Sequence, residues 1–364
     1  MDRPRIHAPR LSLGTLLTAL VFGAVLFVAA TITAINYYFD TRAAEQAAAE
    51  EFTAIAQRSA EAAGRLERRG EQLAIAVRRL DAFATPLEDG LHPIVPRLAG
   101  LLERRADIFS LFVGYANGDY LEVSSLEADA GVRAAWDARD NERWVVMQVT
   151  DIDGARVEQR RFLDETLQVV RETSRPSQYF DDLRPWFTEA RPGEVRKTAP
   201  YLLSMVQERG ISYTVGSPDG AVAGAIVLLS SLDALLDSSR FPRTHAAMIF
   251  NTEGRIVASS ARDRRFRGVI SAANIRDDTE VYPTLVALAG DPAGYGLLQR
   301  TRVGSADYYA WVQPLDSFSS QSTQEYIGLL GQRAEVMAPY RRQALVTLGL
   351  SLAAVGIGSA VTQV

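Results

Sequence analysis

The chain has 364 residues and no cysteine. That excludes disulfides, thiolate metal sites and cysteine nucleophiles. The compartment stays open, because a protein in an oxidising space can simply avoid thiols. Histidine is scarce. His7, His92 and His245 are the only 3, far apart and without a ligand-type residue two, three or four positions on, so no histidine metal site is expected. Positive charge is not in excess either. A net charge of -5 speaks against binding along a phosphate backbone, and nucleic acid is not an expected partner. Signatures of chemistry are missing: there is no GxxxxGK loop, no HExxH and no CxxC, and Ser259-Ser260 has no base nearby in sequence. The acid pairs Asp181-Asp182 and Asp277-Asp278 read as solvated loops, with calcium ligation as the lesser alternative. No catalytic residue, metal or cofactor is therefore assigned within residues 1–364.

What the chain does have is two runs without charge. The first, Leu11 to Ile35, has about 25 residues, enough to cross a hydrocarbon core as a helix. Arg3, Arg5 and Arg10 precede it, and Tyr37 and Tyr38 follow at interface depth, which places the N-terminus in the cytoplasm. A cleaved signal peptide is the rival reading, but the run is long for one and no cleavage site is obvious. The second run, Ala344 to Val364, has about 20 residues. Arg341 and Arg342 stand on what would be its outer side, against the charge rule. The expected layout is a cytoplasmic N-terminus over 1–10, spans over 11–37 and 343–364, and everything between them outside the membrane.

The segment over 38–80 is rich in Ala, Glu and Arg and free of proline, and reads as one long helix. Phe52, Ser59, Leu66, Leu73 and Leu80 fall on one seven-residue row, with Ile55, Ala62 and Ala76 on a second. Such a stripe suits either a seam across a homodimer or a seam packed on the chain's own domain. After Pro86 the pattern turns to strands. Asn117-Gly118, Asp153-Gly154 and Pro218-Asp219-Gly220 punctuate alternating runs, and a second, smaller series starts near Phe241 with a turn at Glu253-Gly254. The fold class expected is α+β: a long helix and two stacked antiparallel sheets, one over 81–240 and one over 241–340, forming a weak internal repeat.

Three stretches, "FVGYANGDYLEV", "FDDLRPWFTEA" with the later "TAPYLL", and "AAMIFNTEGRIVAS", resemble in content and order the double Cache sensor domains of bacterial transmembrane receptors. The resemblance is greatest to those in front of nucleotide cyclases and HD-type phosphodiesterases. It implies two PAS-like modules on one long helix, a membrane-distal one that binds ligand and a membrane-proximal one, in the bacterial inner membrane with the sensor region extracytoplasmic. It implies a role as the sensing input of a receptor, most of all for an adenylate or guanylate cyclase. Diguanylate cyclases, HD-type phosphodiesterases and histidine kinases are alternative outputs. A membrane-anchored adhesion or assembly protein is the alternative of another class.

Carried over residue by residue, the resemblance makes Arg184 the contact for a ligand carboxylate, Trp186 a wall and Tyr201 an assisting tyrosine. Tyr213 is a fourth candidate. Arginine offers a planar fork suited to a carboxylate, and tryptophan a flat face. Two residues apart in an extended segment, Arg184 and Trp186 would point the same way. The competing reading pairs Arg184 with Asp181 or Asp182 and buries Trp186 in the core. The family's amine-binding aspartate is missing: Ile226 stands there, and the next acid is Asp233. A carboxylate, or a neutral or apolar ligand, is thus expected in preference to an amino acid.

Overall fold

The computed structural model describes residues 13–349 except 81–84, 89, 106, 129, 180–182, 204, 239–244, 253–255, 261–280, 304, 316–323, 339–340, 343–344 and 347–348. Helix α1 runs from Leu13 to Arg78, a single helix of 66 residues. No described helix is long and apolar enough to cross a membrane. Much of the two expected spans falls outside the described residues: Leu11, Ser12 and several side chains of the first, and most of the second.

The chain divides into two compact units. In the smaller, Gln332 onward and the helix up to Phe52, the short helix Arg333–Val336 places Arg333 against Glu45 of α1 at 2.6 Å. The larger unit, Thr53–Gly331, holds both sheets.

The first sheet has nine antiparallel strands: β1 (Ser110–Gly114), β2 (Tyr120–Ser125), β3 (Trp144–Ile152), β4 (Ala155–Leu163), β5 (Val169–Pro176), β6 (Val195–Lys197), β7 (Tyr201–Leu203), β8 (Glu208–Gly216) and β9 (Val222–Leu228). Their order is β5-β4-β3-β2-β1-β9-β8-β6, with β7 also on β8, so β1 joins the two halves through β9. The expected turns lie where the dipeptides put them. Asp153 and Gly154 both have positive φ, 52° and 80°, as a two-residue hairpin loop requires. At the β1–β2 turn the Asn117 side chain accepts from the Asp119 N–H at 3.1 Å. The turn at Glu253-Gly254 lies outside the described residues.

Because strand residues alternate, this sheet has two distinct faces. One carries Phe112, Tyr120, Met147 and Ile226 in a core with Trp186 and Leu203. The other carries Tyr213, whose ring lies against Gly70 of α1; a Cβ built on Gly70 would stand 2.4 Å from it. The second sheet has order β11-β10-β14-β13-β12, from β10 (His245–Asn251), β11 (Ile256–Ser259), β12 (Gln299–Val303), β13 (Ala306–Pro314) and β14 (Glu325–Gln332). The helix Val281–Ala289 covers it, with Leu285 fully buried beside Phe250.

The apolar stripe on α1 follows the second of its two readings, packing on the chain's own domain. Phe52, Ile55, Ser59, Leu66 and Leu73 are buried within the single chain, as are Ala56, Ala63, Ala74 and Val77. The face turned to solvent carries Arg58, Glu61, Arg65 and Gln72. The stripe therefore serves the chain's own core and is not a free dimer seam. The helix ends at Arg78, leaving Leu80 half-buried outside it.

The close fit at Gly70 is testable. Gly70→Val should destabilise the protein by at least about 2 kcal/mol through overpacking. Adding Tyr213→Ala should recover part of the loss in the same denaturation measurement, and would not if the ring lay elsewhere.

Candidate ligand-binding site

The site forms where the segment after β5 returns over the first face of the nine-stranded sheet. Arg156 donates from Nε to the Tyr179 carbonyl at 3.1 Å, and the Tyr179 N–H bonds the Ser177 hydroxyl at 3.1 Å, which fixes the approach. Arg184 follows in extended conformation, φ −94° and ψ 140°, as the N-cap of a single helical turn, Pro185–Thr188. Proline suits the first helical position, where no intrahelical N–H bond is needed. The Arg184 carbonyl accepts from Phe187 and Thr188, both at 3.0 Å.

This turn separates Arg184 from Trp186. Trp186 is 1% exposed and meets Phe112 edge-on at 4.6 Å between ring centroids, with Tyr120 at 5.6 Å. It is core. The expectation that the two residues share one pocket side is corrected, because the chain is helical from Pro185, not extended, and the side chains diverge. Trp186 supports the pocket from behind, through Tyr120.

Arg184 stays half-buried, its guanidinium carbon 4.8 Å above the Tyr179 ring centroid. Among the described residues no carboxylate pairs with it. Asp181 and Asp182 lie outside the described residues. Arg184 borders a small cavity of about 10 Å³ with Tyr120, Tyr179, Tyr201 and Ile226, about the space of one water. On its other side opens a cleft of about 410 Å³ that reaches Met147, Glu158 and Arg175. Tyr201 enters from β7, and its hydroxyl lies 2.6 Å from the Ser212 hydroxyl of β8. Burial pushes the Tyr201 and Tyr179 hydroxyls well above the usual phenol range, so both remain neutral donors.

Tyr213 is not part of this site. It follows Ser212 in β8, so it points to the opposite face, against Gly70. Asp233 is elsewhere too. It sits in the helix Leu229–Ser238, and its carboxylate accepts the Ser259 N–H of β11 at 2.7 Å.

Sequence reasoning missed Glu122. It is fully buried on β2, and the Tyr120 and Ser124 hydroxyls donate to it at 2.8 and 3.1 Å. Among the described residues it has hydroxyl partners and no cation. Burial holds its carboxyl above the usual carboxylate range, and the neighbouring hydroxyls offset this in part. It acts electrostatically on both Tyr179 and Tyr201. The reason for disfavouring an amine, the lack of a counter-charge, is thereby corrected: an acid stands beneath the pocket on another strand. The signal was the alternation in "YLEVSS", which puts Tyr120, Glu122 and Ser124 on one face.

No protein-family model matches this sequence, and no curated protein matches it. Solved structures do. The sensory domain of the Campylobacter jejuni chemoreceptor Tlp3 (CcmL) aligns over 82% of this chain and 98% of its own, with a TM-score of 0.51 and 11% identity. The fold is that of a double Cache sensory domain. The same Tlp3 domain with isoleucine bound aligns at a TM-score of 0.49 and 10% identity, over 82% of this chain and 98% of that one. The ligand-binding domain of the Pseudomonas aeruginosa amino acid chemoreceptor PctB, in complex with L-Arg, gives 0.44 and 15% over 78% and 93%. Within this double Cache fold the nine-stranded sheet carries the pocket.

The two roles assigned to Arg184 and Trp186 separate by mutation. Trp186→Ala should cost about 3–5 kcal/mol of stability, the range for large aromatic truncations in cores. Chemical denaturation should show a far smaller change for Arg184→Ala, which removes no core volume.

Proposed function

We propose that this chain is the extracytoplasmic, ligand-sensing input region of a bacterial membrane receptor. The observation that carries the reading is Arg184: a half-buried guanidinium stacked on Tyr179, without a carboxylate partner among the described residues, at the mouth of a tyrosine-lined pocket. Such a fork is suited to a carboxylate from outside the chain. Neutral tyrosine hydroxyls add donors, and no nucleophile–base pair stands among them, so the arrangement suits binding and not turnover.

The ligand in this reading is a small carboxylate. Glu122 admits an α-amine as well, since a cation brought near it would relieve a buried acid that only hydroxyls now serve. Binding Arg184 and closing the cleft would favour one of two conformations, and the difference in affinity is the signal. A thermal-shift screen of the full chain should find carboxylates that raise its melting point. Arg184→Ala should keep the fold and weaken such a ligand by about thirtyfold, about 2 kcal/mol. Equal affinity in the variant would end the assignment. Glu122→Gln should weaken amine-bearing ligands only.

Membrane anchoring belongs to the same proposal. The exposed Leu17, Leu20, Val21, Phe27, Val28 and Ile32 of α1 leave apolar surface around that helix, which suits lipid. Distal and proximal then denote the nine-stranded and five-stranded sheets. Alkaline phosphatase fused after Leu315 should be active in a bacterial host. An inactive fusion there, with a cytoplasmic reporter active at the same site, would overturn the topology. A nucleotide cyclase is the proposed output, resting only on the resemblance of the Arg184 corner and "TAPY". A homodimer remains part of the reading, through a surface other than the buried stripe.

A further inference from the structure

A second cluster lies on the opposite face of the nine-stranded sheet from Arg184. Lys197 of β6 reaches Glu67 of α1 and, at 2.7 Å, Glu325 of β14. The three side chains are 2%, 9% and 6% exposed. One buried ammonium thus ties together the long helix, the nine-stranded sheet and the five-stranded sheet. One turn further along α1, Glu71 is buried with its Oε1 unpartnered. The groups facing the cluster are Glu67, Arg68 and Glu71 from α1, Lys197 from β6, Tyr213 from β8 and Glu325 from β14. Arg68 is on the exposed side of the helix. Three buried carboxyls therefore face one buried ammonium, with Arg68 acting on Glu67 and Glu71 from the solvent side, and with all three ionised negative charge still exceeds positive. That is costly, and the cheapest relief is a proton.

We propose that Lys197, Glu67, Glu71 and Glu325 form a proton-operated latch, which takes up a proton on acidification and then holds α1 more tightly to the two sheets. It gives the domain a second input, the acidity of the medium, and does not depend on whether Arg184 binds a ligand. The directions of titration agree. Burial, then the neighbouring Glu67, raise Glu71 above the ordinary carboxylate value; burial also raises Glu67, offset in part by Lys197. Burial disfavours the Lys197 ammonium, yet Glu325 and Glu67 outweigh it and raise its pKa, so the ammonium persists throughout. A carboxyl raised in the folded state stabilises fully below its unfolded value of 4.5, and that contribution is lost as pH rises through the folded value. The latch should be tightest in mild acid and loosen toward neutral pH.

The position suits transmission. Ser212, bonded to Tyr201 in the pocket, precedes Tyr213, which packs on Gly70, and Lys197 pairs with Tyr213 across the strands. A shift of β8 is therefore felt at the pocket on one face and at the latch on the other.

The test measures Tm of the full chain in detergent from about pH 5 to about pH 8. The parent should melt lower as pH rises. Glu71→Gln should melt higher than the parent at the upper pH, by about 3 °C, with a shallower pH slope. Lys197→Met, which leaves three carboxyls facing one another, should steepen the slope. Glu122→Gln, which removes a buried acid of the same sign on the other face, should flatten the Tm slope but leave amide exchange over 62–72 parent-like; a change there would overturn the latch. Glu71→Gln removes no packing volume, so it decides the matter even if Lys197→Met fails to fold. A parent-like slope in Glu71→Gln, or a lower Tm at the upper pH, overturns the latch. Amide exchange over 62–72, corrected for its intrinsic pH dependence, should be slower in acid for the parent and less so for Glu71→Gln; equal behaviour also overturns it.

Discussion

Lys197 is the constraint on which the larger unit turns. An ammonium without water must find anions, and the two it finds come from α1 and from the last strand of the five-stranded sheet. Apolar packing alone would tolerate sliding of a helix over a sheet. A buried charge with fixed partners does not, because each displacement leaves an ion unpaired. Gly70 adds a steric key one turn away, where the absence of a side chain admits the Tyr213 ring. The long helix is thereby fixed in position and rotation against the sheet.

The pocket depends on the same sheet from its other side. β8 gives Ser212 to Tyr201 and Tyr213 to the helix, so neighbouring residues serve opposite faces. Tyr120 forms part of the pocket wall, and Phe112 and Trp186 pack against it from the core. Arg184 sits at the edge of this layer, as the N-cap of a short helical turn. Arg175, largely exposed, meets the buried Glu158 at the edge of the cleft, and the buried Lys197 links the sheets and the helix.

Much of the fold was legible from local pattern. Asp153-Gly154 marked a hairpin because few residues tolerate positive φ twice in succession, and the strands on either side pair as their alternation required. The uninterrupted helix formers over 38–80 marked α1. The candidate site was legible in part: Arg184 and Tyr201 do border one pocket. Trp186 was misplaced because a proline after an arginine is compatible with both an extended run and a helix start, and only the structure shows the turn. Tyr213 was misplaced because its face depends on strand register. Glu122 was overlooked because an acid in a strand ordinarily faces water, and nothing local says that both faces of β2 are covered.

The sequence by itself determined most element types, the main turns, the α+β class and, with no cysteine, the absence of thiol chemistry, since each depends on composition or on residues near one another in the chain. Only the tertiary structure decided what the stripe on α1 covers, which acid lies beneath the pocket and where Lys197 finds its partners. Glu67, Lys197 and Glu325 are separated by more than a hundred residues at each step, and no local preference records such a meeting. Side-chain direction comes from propensity and pattern, but the identity of what a side chain meets is set when the sheets and the helix bury one another.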